Sequence, residues 1–398
     1  MKKKFFLLLF FCLVCFFGFT SCKVEENDEN PSYNFETDCQ YYHITAIGSY
    51  HIAESPECYY YISEKGYLRA VEKATMKDFI LCNKPECLHD KLETEYESEK
   101  YGCNAYVSIS GNGCLNYYNG HLYGLFKHYS PDIGVSSSFV LTRFSLDGTK
   151  RKDIWTMDWE DENIKGYPLS STIHRGKFYF ILQDVQSSGE IKSYVFCYDL
   201  KTGKNRLLYY EDGHAMNLKI LGNTMYLRVE RDYLLPELIE YDLVTGDYTL
   251  REDCCSVHPF QGKRLYYDTA TDGTTIFHTL SFRNPDGSEE ETFDTVDLND
   301  VPKYCKTLHF YENYLFVRDG AYGEEIRVYD TETGEKISSL AFPEKCSSWG
   351  HSFFSCSSDG KIFLYTTFDK SFKYPIFYCS INEIGTPDFQ WHEVEKVN

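Results

Sequence analysis

Two kinds of feature are missing from the sequence. No stretch carries apolar residues at a sustained helical period, which disfavours an architecture built on long amphipathic helices. The patterns G-x-S-x-G, H-E-x-x-H, G-x-x-x-x-G-K-[ST] and G-x-G-x-x-G are also absent. The sequence therefore does not indicate a motif-defined serine hydrolase, zinc peptidase, P-loop NTPase or dinucleotide-binding enzyme.

Positive charge is scarce. The 398 residues include 40 lysines and arginines against 60 aspartates and glutamates, which gives a formal net charge of −20. Nucleic acid and anionic lipid headgroups would repel a chain of this charge, so neither is an expected partner. A calcium-binding EF-hand is not expected either, because no loop has the required spacing of oxygen ligands.

Aromatic residues are abundant instead. They make up 17% of the chain, led by 35 tyrosines and 29 phenylalanines, and they stand in short runs with β-branched residues. Such residues favour the half-buried face of a pleated sheet. Glycine, asparagine and aspartate bound these runs, as expected for strands that are joined by tight turns. The composition and its pattern predict an all-β fold.

One hairpin sequence recurs along the chain. Residues 198–203 read YDLKTG, residues 241–246 read YDLVTG and residues 329–334 read YDTETG, with looser copies at 144–148 and 283–287. In each of the three close copies a strand ends, an aspartate caps the turn and a glycine supplies a positive φ. The aspartates at positions 147, 199, 242, 286 and 330 are 52, 43, 44 and 44 residues apart. This regular spacing indicates a repeated structural unit.

A second tight turn recurs in the same units. Its copies begin at residues 119, 175, 222, 261, 312 and 359, and each opens a strand that contains aromatic residues. Two hairpins make a unit of four strands, and residues 41–82 and 349–395 supply a first and a last unit. Four-stranded units at this period predict a β-propeller with seven blades; six or eight blades and two unrelated β-domains are the alternatives.

The blade sequence resembles that of known propellers. The pattern x-G-x-L-Y-Y followed by Y-D-L-x-T-G is similar to the blades of the TolB-like and DUF5050-like propeller groups of bacteria, over most of residues 40–398. The Gly-His and Trp-Asp marks of WD40 repeats and the double glycines of kelch repeats are absent from the blades. The resemblance implies the propeller fold and no particular reaction.

The first 22 residues have the pattern of an export signal. Lysines at positions 2–4 precede residues 5–19, which carry no charge, and small residues then lead to Cys22. The segment resembles the signal and lipobox of bacterial lipoproteins, in which the cysteine is lipidated and becomes the new N-terminus. We therefore predict a signal peptide at 1–21, export, and retention at the cell membrane or cell surface by lipid on Cys22. The alternative is an uncleaved membrane anchor.

The mature chain is expected to have two parts. Residues 22–38 contain the lipidated cysteine and a polar, acidic segment that cannot bury a core, so they predict a flexible tether. Residues 39–398 are expected to form the propeller as a single domain. Removal of the three lysines in the signal takes the net charge from −20 to −23.

Cysteines are concentrated around an insert at residues 82–104. Cys82, Cys87 and His89 are followed by a polar stretch and then by Cys103, between the first and second predicted blades. Three thiols and an imidazole suit a closed tetrahedral zinc site. Exported proteins also form disulfides, so a Cys87–Cys103 or Cys82–Cys103 bridge would pin the same loop. The sequence leaves a structural zinc ion and a disulfide staple as equal alternatives.

No residues stand out as a catalytic set. His174, His258 and His351 lie just upstream of predicted blade strands, where loops lead towards the channel, but a surface or core histidine is the commoner case. The leading expectation is a binding or scaffold lipoprotein without enzymatic activity, held at the membrane by its lipid and contacting an extracellular ligand or protein. The alternatives are a carbohydrate-active propeller enzyme (a polysaccharide lyase or glycoside hydrolase) and a periplasmic assembly partner.

Overall fold

A computed structural model describes residues 52–63, 66–87, 102–107, 114–130, 135–158, 167–185, 188–230, 236–252, 254–261, 263–272, 274–283, 288–299, 306–319, 323–344, 352–366 and 376–396. All of these belong to one compact unit, residues 32–398. The predicted signal peptide, Cys22 and the tether at 22–38 lie outside the described residues, so these boundaries stay predictions. Among the described residues, no helix has the length and apolar character needed to span a membrane.

The described strands form seven sheets, which are the blades of a propeller. Six sheets contain four strands each, and the first blade has the same four-stranded arrangement with a fifth strand at its edge. Neighbouring strands within each group of four are antiparallel and consecutive in sequence. The prediction of an all-β propeller with seven four-stranded blades is therefore confirmed.

The strand bounds follow the order of the chain. Blade 1 contains β1 (Ala53–Glu54), β2 (Cys58–Ile62), β3 (Leu68–Glu72) and β4 (Lys77–Ile80), with β29 (Glu395–Lys396) as its fifth strand. Blade 2 contains β5 (Cys114–Tyr118), β6 (His121–Ser130), β7 (Val135–Ser145) and β8 (Arg151–Asp158). Blade 3 contains β9 (Tyr167–His174), β10 (Lys177–Val185), β11 (Ile191–Asp199) and β12 (Asn205–Asp212). Blade 4 contains β13 (His214–Leu221), β14 (Thr224–Glu230), β15 (Glu237–Asp242) and β16 (Tyr248–Arg251).

The remaining three blades complete the ring. Blade 5 contains β17 (Cys254–Phe260), β18 (Lys263–Thr271), β19 (Ile276–Arg283) and β20 (Glu289–Thr292). Blade 6 contains β21 (Lys306–Tyr311), β22 (Tyr314–Asp319), β23 (Glu325–Asp330) and β24 (Lys336–Ala341). Blade 7 contains β25 (Ser352–Cys356), β26 (Lys361–Thr366), β27 (Ile376–Ser380) and β28 (His392–Glu393), and a short 3-10 helix, Ile381–Glu383, follows β27.

The aspartates of the three close copies lie where the sequence predicts: each ends the third strand of its blade and caps the turn to the fourth. Asp199 Oδ1 accepts hydrogen bonds from the backbone N–H groups of Lys201 at 2.9 Å and Thr202 at 2.7 Å. Asp242 and Asp330 cap their own turns in the same way. The capped turns fix the register of each outer hairpin. The predicted turn at residue 286 lies outside the described residues.

Aromatic side chains fill the space between neighbouring blades. Phe178 and Phe180 of β10 are fully buried. Trp155 of β8 packs from blade 2 against Phe180 and Tyr198 of blade 3, with ring centroids 5.7 and 5.8 Å apart. Each buried phenylalanine stabilises the fold by about 1.5–3 kcal/mol. The high aromatic content therefore serves the packing of one sheet on the next.

The ring closes between blade 7 and blade 1 through polar groups. The backbone N–H and the hydroxyl of Ser358 donate to the two carboxylate oxygens of Glu54, at 2.9 and 2.6 Å. Lys73 forms an ion pair with the same carboxylate. The Tyr59 hydroxyl donates to Asp359 Oδ1 at 2.5 Å. We call Glu54, Tyr59, Lys73, Ser358 and Asp359 the closure seam.

The end of the chain adds a second link to blade 1. Strand β29 pairs in parallel with β4, with Glu395 opposite Lys77 and Lys396 opposite Asp78. The unit predicted at 41–82 has β1 (Ala53–Glu54) as the first strand that the structure describes, paired with β2. The tight turn that follows β1, closed by a bond of 2.9 Å from Ser55 N–H to the Cys58 carbonyl, sets this pairing. Residues 41–47 lie outside the described residues.

Candidate metal centre

Three of the predicted ligands converge on the connection between blades 1 and 2. The sulfur atoms of Cys82, Cys87 and Cys103 lie within 4.8 Å of one another. Cys103 is buried, whereas Cys82 and Cys87 are half-buried. His89, the fourth predicted ligand, lies outside the described residues. We call the three cysteines the thiol cluster.

Two short arms of chain carry the thiol cluster. The first arm, residues 81–87, leaves β4 and turns back on itself, with the Cys87 N–H donating to the Lys84 carbonyl at 3.0 Å. The second arm, residues 102–107, carries Cys103. The Lys84 ammonium donates to the Gly102 carbonyl and joins the two arms. Local turns and this one cross-link therefore bring together cysteines that are up to 21 positions apart in the sequence.

The three thiols differ in acidity. Burial raises the pKa of Cys82, but the backbone N–H groups of Lys84 and Asn104 and the neighbouring thiols more than offset it, so the pKa falls below its usual value of 9.0. Burial and the negative charge of Cys82 raise the pKa of Cys103 to about 12. As the pH rises, Cys82 is therefore the first thiol of the cluster to lose its proton. Loss of a proton from Cys103 as well is favoured only when a cation lies nearby.

The donor set and spacing suit a soft or borderline metal ion such as zinc. Zinc–sulfur bonds of about 2.3 Å at tetrahedral angles hold sulfur atoms about 3.8 Å apart, so the cluster needs shifts of only about 1 Å to close on an ion. All three cysteines are free thiols in the structure, and the choice between zinc and a bridge to Cys103 stays a prediction. The arrangement can hold a metal ion through three protein ligands.

A second group of polar side chains lies on the first strands of successive blades, which contact one another around the propeller axis. Lys219 of β13 donates to the Val257 carbonyl at 3.0 Å, and Ser256 Oγ lies 2.8 Å from His258 Nε2 on β17. His309 of β21 has an enclosed Nε2 that makes no hydrogen bond within the described part of the chain. We call Lys219, Ser256, His258 and His309 the inner polar group.

Both imidazoles of the inner polar group are neutral at pH 7. Burial, aided by the Lys219 ammonium, holds the pKa of His258 well below 6.5 and lowers that of His309 to about 3. His258 lies inside β17, not upstream of a strand as the sequence suggests, and His174 ends β9. His351 lies outside the described residues. Sequence reasoning missed Lys219 and His309, because no motif marks single polar positions in the first strands.

Comparison with known proteins supports the fold. No protein-family model matches the chain, and no curated protein is significantly similar to it in sequence. The oligogalacturonate lyase of Vibrio parahaemolyticus superposes with a TM-score of 0.52 at 13% identity, over 86% of this chain and 90% of the lyase.

Two further solved structures show more distant similarity. The propeller domain of the Trilobed protease from Pyrococcus furiosus gives a TM-score of 0.45 at 10% identity, over 72% of this chain and 84% of that domain. Apo AztD from Citrobacter koseri gives a TM-score of 0.41 at 14% identity, over 73% of this chain and 71% of AztD. At these identities no activity or ligand carries over to this chain.

Proposed function

We propose that the chain is an exported, lipid-anchored binding or scaffold protein whose propeller contacts an extracellular ligand or protein. The ring of seven blades carries this proposal, because it provides a rigid platform with loops gathered at its two faces. The sequence features before the propeller support the anchor: lysines at 2–4, the uncharged stretch at 5–19 and Cys22.

The anchor is tested by replacing its cysteine. Cys22→Ala should move the protein from the membrane fraction to the soluble exported fraction and abolish incorporation of labelled palmitate, since no thiol remains to carry the lipid. Cys12→Ala, a cysteine inside the predicted signal, is the matched control and should change neither result. Unchanged membrane retention of Cys22→Ala, without lipid on the wild type, would contradict the lipid anchor.

The thiol cluster is proposed to bind zinc as a structural ion. Cys82, Cys87 and Cys103 would hold it, and His89 is the fourth ligand that the sequence offers. A bound zinc ion would form a rigid cross-link between the two arms. Zinc sites that are closed and rich in thiolate ligands are typically structural rather than catalytic. The convergence of the three sulfur atoms within 4.8 Å supports this role.

A carbohydrate-active enzyme is the second candidate, and the inner polar group favours it. Histidine and lysine are residue types that enzymes use as acids and bases, and this group places them on the first strands around the propeller axis. Incubation with oligogalacturonate and with neutral oligosaccharides, followed by mass spectrometry, separates the candidates. The binding role predicts unchanged oligosaccharides. Turnover that is abolished by His258→Ala and His309→Ala would establish the enzyme instead.

A further inference from the structure

We infer that the thiol cluster is a metal-dependent clamp between blades 1 and 2, so that occupation of the cluster sets how firmly one turn of blade 2 is held. The turn is residues 146–150, between β7 and β8, and we call it the clamped turn. The inference rests on the proposed zinc site and names what that site controls. Three sets of contacts carry it.

The backbone of the first arm contacts the clamped turn closely at Gly148. Gly148 has φ of +70°, and a Cβ atom on it would lie 2.6 Å from the Leu81 carbonyl oxygen and 3.0 Å from the Cys82 nitrogen. Real Cβ atoms do not approach backbone this closely, so only glycine fits both the conformation and the space. The clamped turn is therefore seated directly on the residue that carries the first thiol of the cluster.

The second arm holds the same turn by hydrogen bonds. The side-chain amide of Asn104, the residue after Cys103, donates to the carbonyls of Gly148 at 3.0 Å and Thr149 at 3.1 Å. The Arg151 guanidinium, at the start of β8, donates to the Tyr106 carbonyl. Both arms therefore reach blade 2 at the same place, one by close packing and the other by polar contacts.

Both arms also belong to blade 1. The Leu68 N–H donates to the Ala105 carbonyl at 2.7 Å, and the Val107 N–H donates to the Gly66 carbonyl at 2.8 Å. The first arm continues directly from β4, and the Leu81 N–H donates to the Leu68 carbonyl at 2.9 Å. The clamped turn therefore packs on a surface of blade 1 that the two arms form from two separate pieces of the chain. We call this surface the seat.

An ion shared by the three thiolates fixes the distance between these two pieces. Cys82 belongs to the piece that packs on Gly148, and Cys103 is adjacent to the residue that binds the carbonyls of Gly148 and Thr149. Apart from the thiols, the Lys84 ammonium joins the arms directly at the Gly102 carbonyl. The backbone of Leu68 in β3 also bonds to Leu81 of the first arm and to Ala105 of the second. The Lys84–Gly102 bond is exposed, and exposed hydrogen bonds of this kind stabilise weakly, while the Leu68 bonds hold each arm at only one residue. Loading the cluster should therefore order the seat and, through it, the clamped turn.

Hydrogen exchange measured by mass spectrometry tests the clamp on the full chain in reductant, with zinc or with a zinc chelator. Peptides covering 142–151 should exchange about tenfold more slowly with zinc, because opening of the turn then requires the ordered seat to break. The equivalent turn of blade 4, residues 243–247, is the internal control and should exchange equally in both conditions.

Two variants separate the clamp from the zinc site. Asn104→Ala should keep the zinc content of the wild type and lose most of the protection of the clamped turn. Cys103→Ser should lose both the zinc and the protection of the clamped turn. If this variant fails to fold, wild-type protein treated with chelator serves as the zinc-free sample. Zinc bound at unit stoichiometry with unchanged exchange at 142–151 would overturn the clamp and leave the zinc site standing. Failure of the wild type to bind zinc would overturn the zinc site itself.

Discussion

The propeller has two junctions beside blade 1, and they are held by different chemistry. At the closure seam, Glu54, Tyr59, Lys73, Ser358 and Asp359 supply donors and acceptors that satisfy one another. At the junction with blade 2, Asn104 and Arg151 donate hydrogen bonds across the blades, and beside them three thiols converge, which bind one another weakly. The first junction is complete as soon as the chain folds. The second also has a shared hydrophobic core, and we propose that an ion adds a cross-link between its two arms.

If the thiol cluster binds zinc as we propose, the ring combines a seam that is always formed with one whose strength depends on a metal ion. Blades 7 and 1 come from opposite ends of the described chain, so their junction must hold against the full entropy of the open chain. Blades 1 and 2 are neighbours in sequence and stay close without any staple. Because the chain already tethers this junction, we expect loss of the proposed ion to loosen it without separating the two blades.

The largest expected effect is the removal of zinc from the junction of blades 1 and 2. Cys103→Ser should lower the free energy of unfolding by about 3–4 kcal/mol when free zinc exceeds the dissociation constant by about 100- to 1,000-fold. Thermal unfolding with and without chelator measures this difference. Cys197→Ser, at a buried cysteine outside the cluster, is the control and should keep the response to chelator. An equal response in both variants would remove the distinction between the two junctions.

The next effect concerns the closure seam. Glu54→Gln removes a carboxylate whose side chain is only 4% exposed and leaves Lys73, 14% exposed, without its counter-charge. We expect a loss of about 3 kcal/mol, whether or not zinc is present, because a buried ammonium then lacks compensation. Chemical denaturation measures it. Glu230→Gln, in the more exposed pair with Arg228, is the control and should cost about 0.5 kcal/mol.

A smaller effect separates steric fit from backbone strain at the clamped turn. Gly148→Ala and Gly120→Ala both place a side chain at positive φ, but a Cβ at Gly120 meets nothing within 4 Å. Both should show the strain of that conformation, about 1–2 kcal/mol. Gly148→Ala should lose about 1–2 kcal/mol more, since its Cβ overlaps the backbone of Leu81. Equal losses in denaturation experiments would mean that the turn is not seated on the first arm.

The smallest effect is a pH dependence of the closure seam. Burial alone would raise the pKa of Asp359, but hydrogen bonds from Lys361, Ser357 and Tyr59 lower it from 3.8 to about 2. The folded state therefore binds this proton less readily than the unfolded state. The contribution of Asp359 is complete above pH 3.8 and is lost as the pH falls towards 2. Asp359→Asn should therefore reduce the fall in the free energy of unfolding between pH 3.8 and about 2. Solvent screening keeps this difference between the variant and the wild type small.

The sequence predicted the blades because their turns are encoded locally. Each aspartate and glycine of a repeated hairpin acts on backbone groups two to four residues away. Glu54 and Ser358 are 304 positions apart, and neither belongs to a motif, so nothing local marks the closure seam. Strand β29 has two residues, too few for a pattern.

The candidate site was predicted in part for the same reason. The spacing of Cys82, Cys87 and Cys103 lies within one connection, so their convergence could be anticipated from chemistry and loop length. The contact of Asn104 with Gly148 joins residues 44 positions apart across two blades. It depends on how the blades pack, which the sequence pattern does not specify. The inner polar group is set in the same way by the packing of first strands.

Metal content measured on reduced protein, purified without added metal, tests most directly whether the thiol cluster holds zinc. We predict one zinc ion per chain in the wild type, released by a chelator together with the appearance of three reactive thiols, and no zinc in Cys103→Ser. Zinc-free wild type that binds none on titration, or equal zinc content in the wild type and Cys103→Ser, would contradict the account.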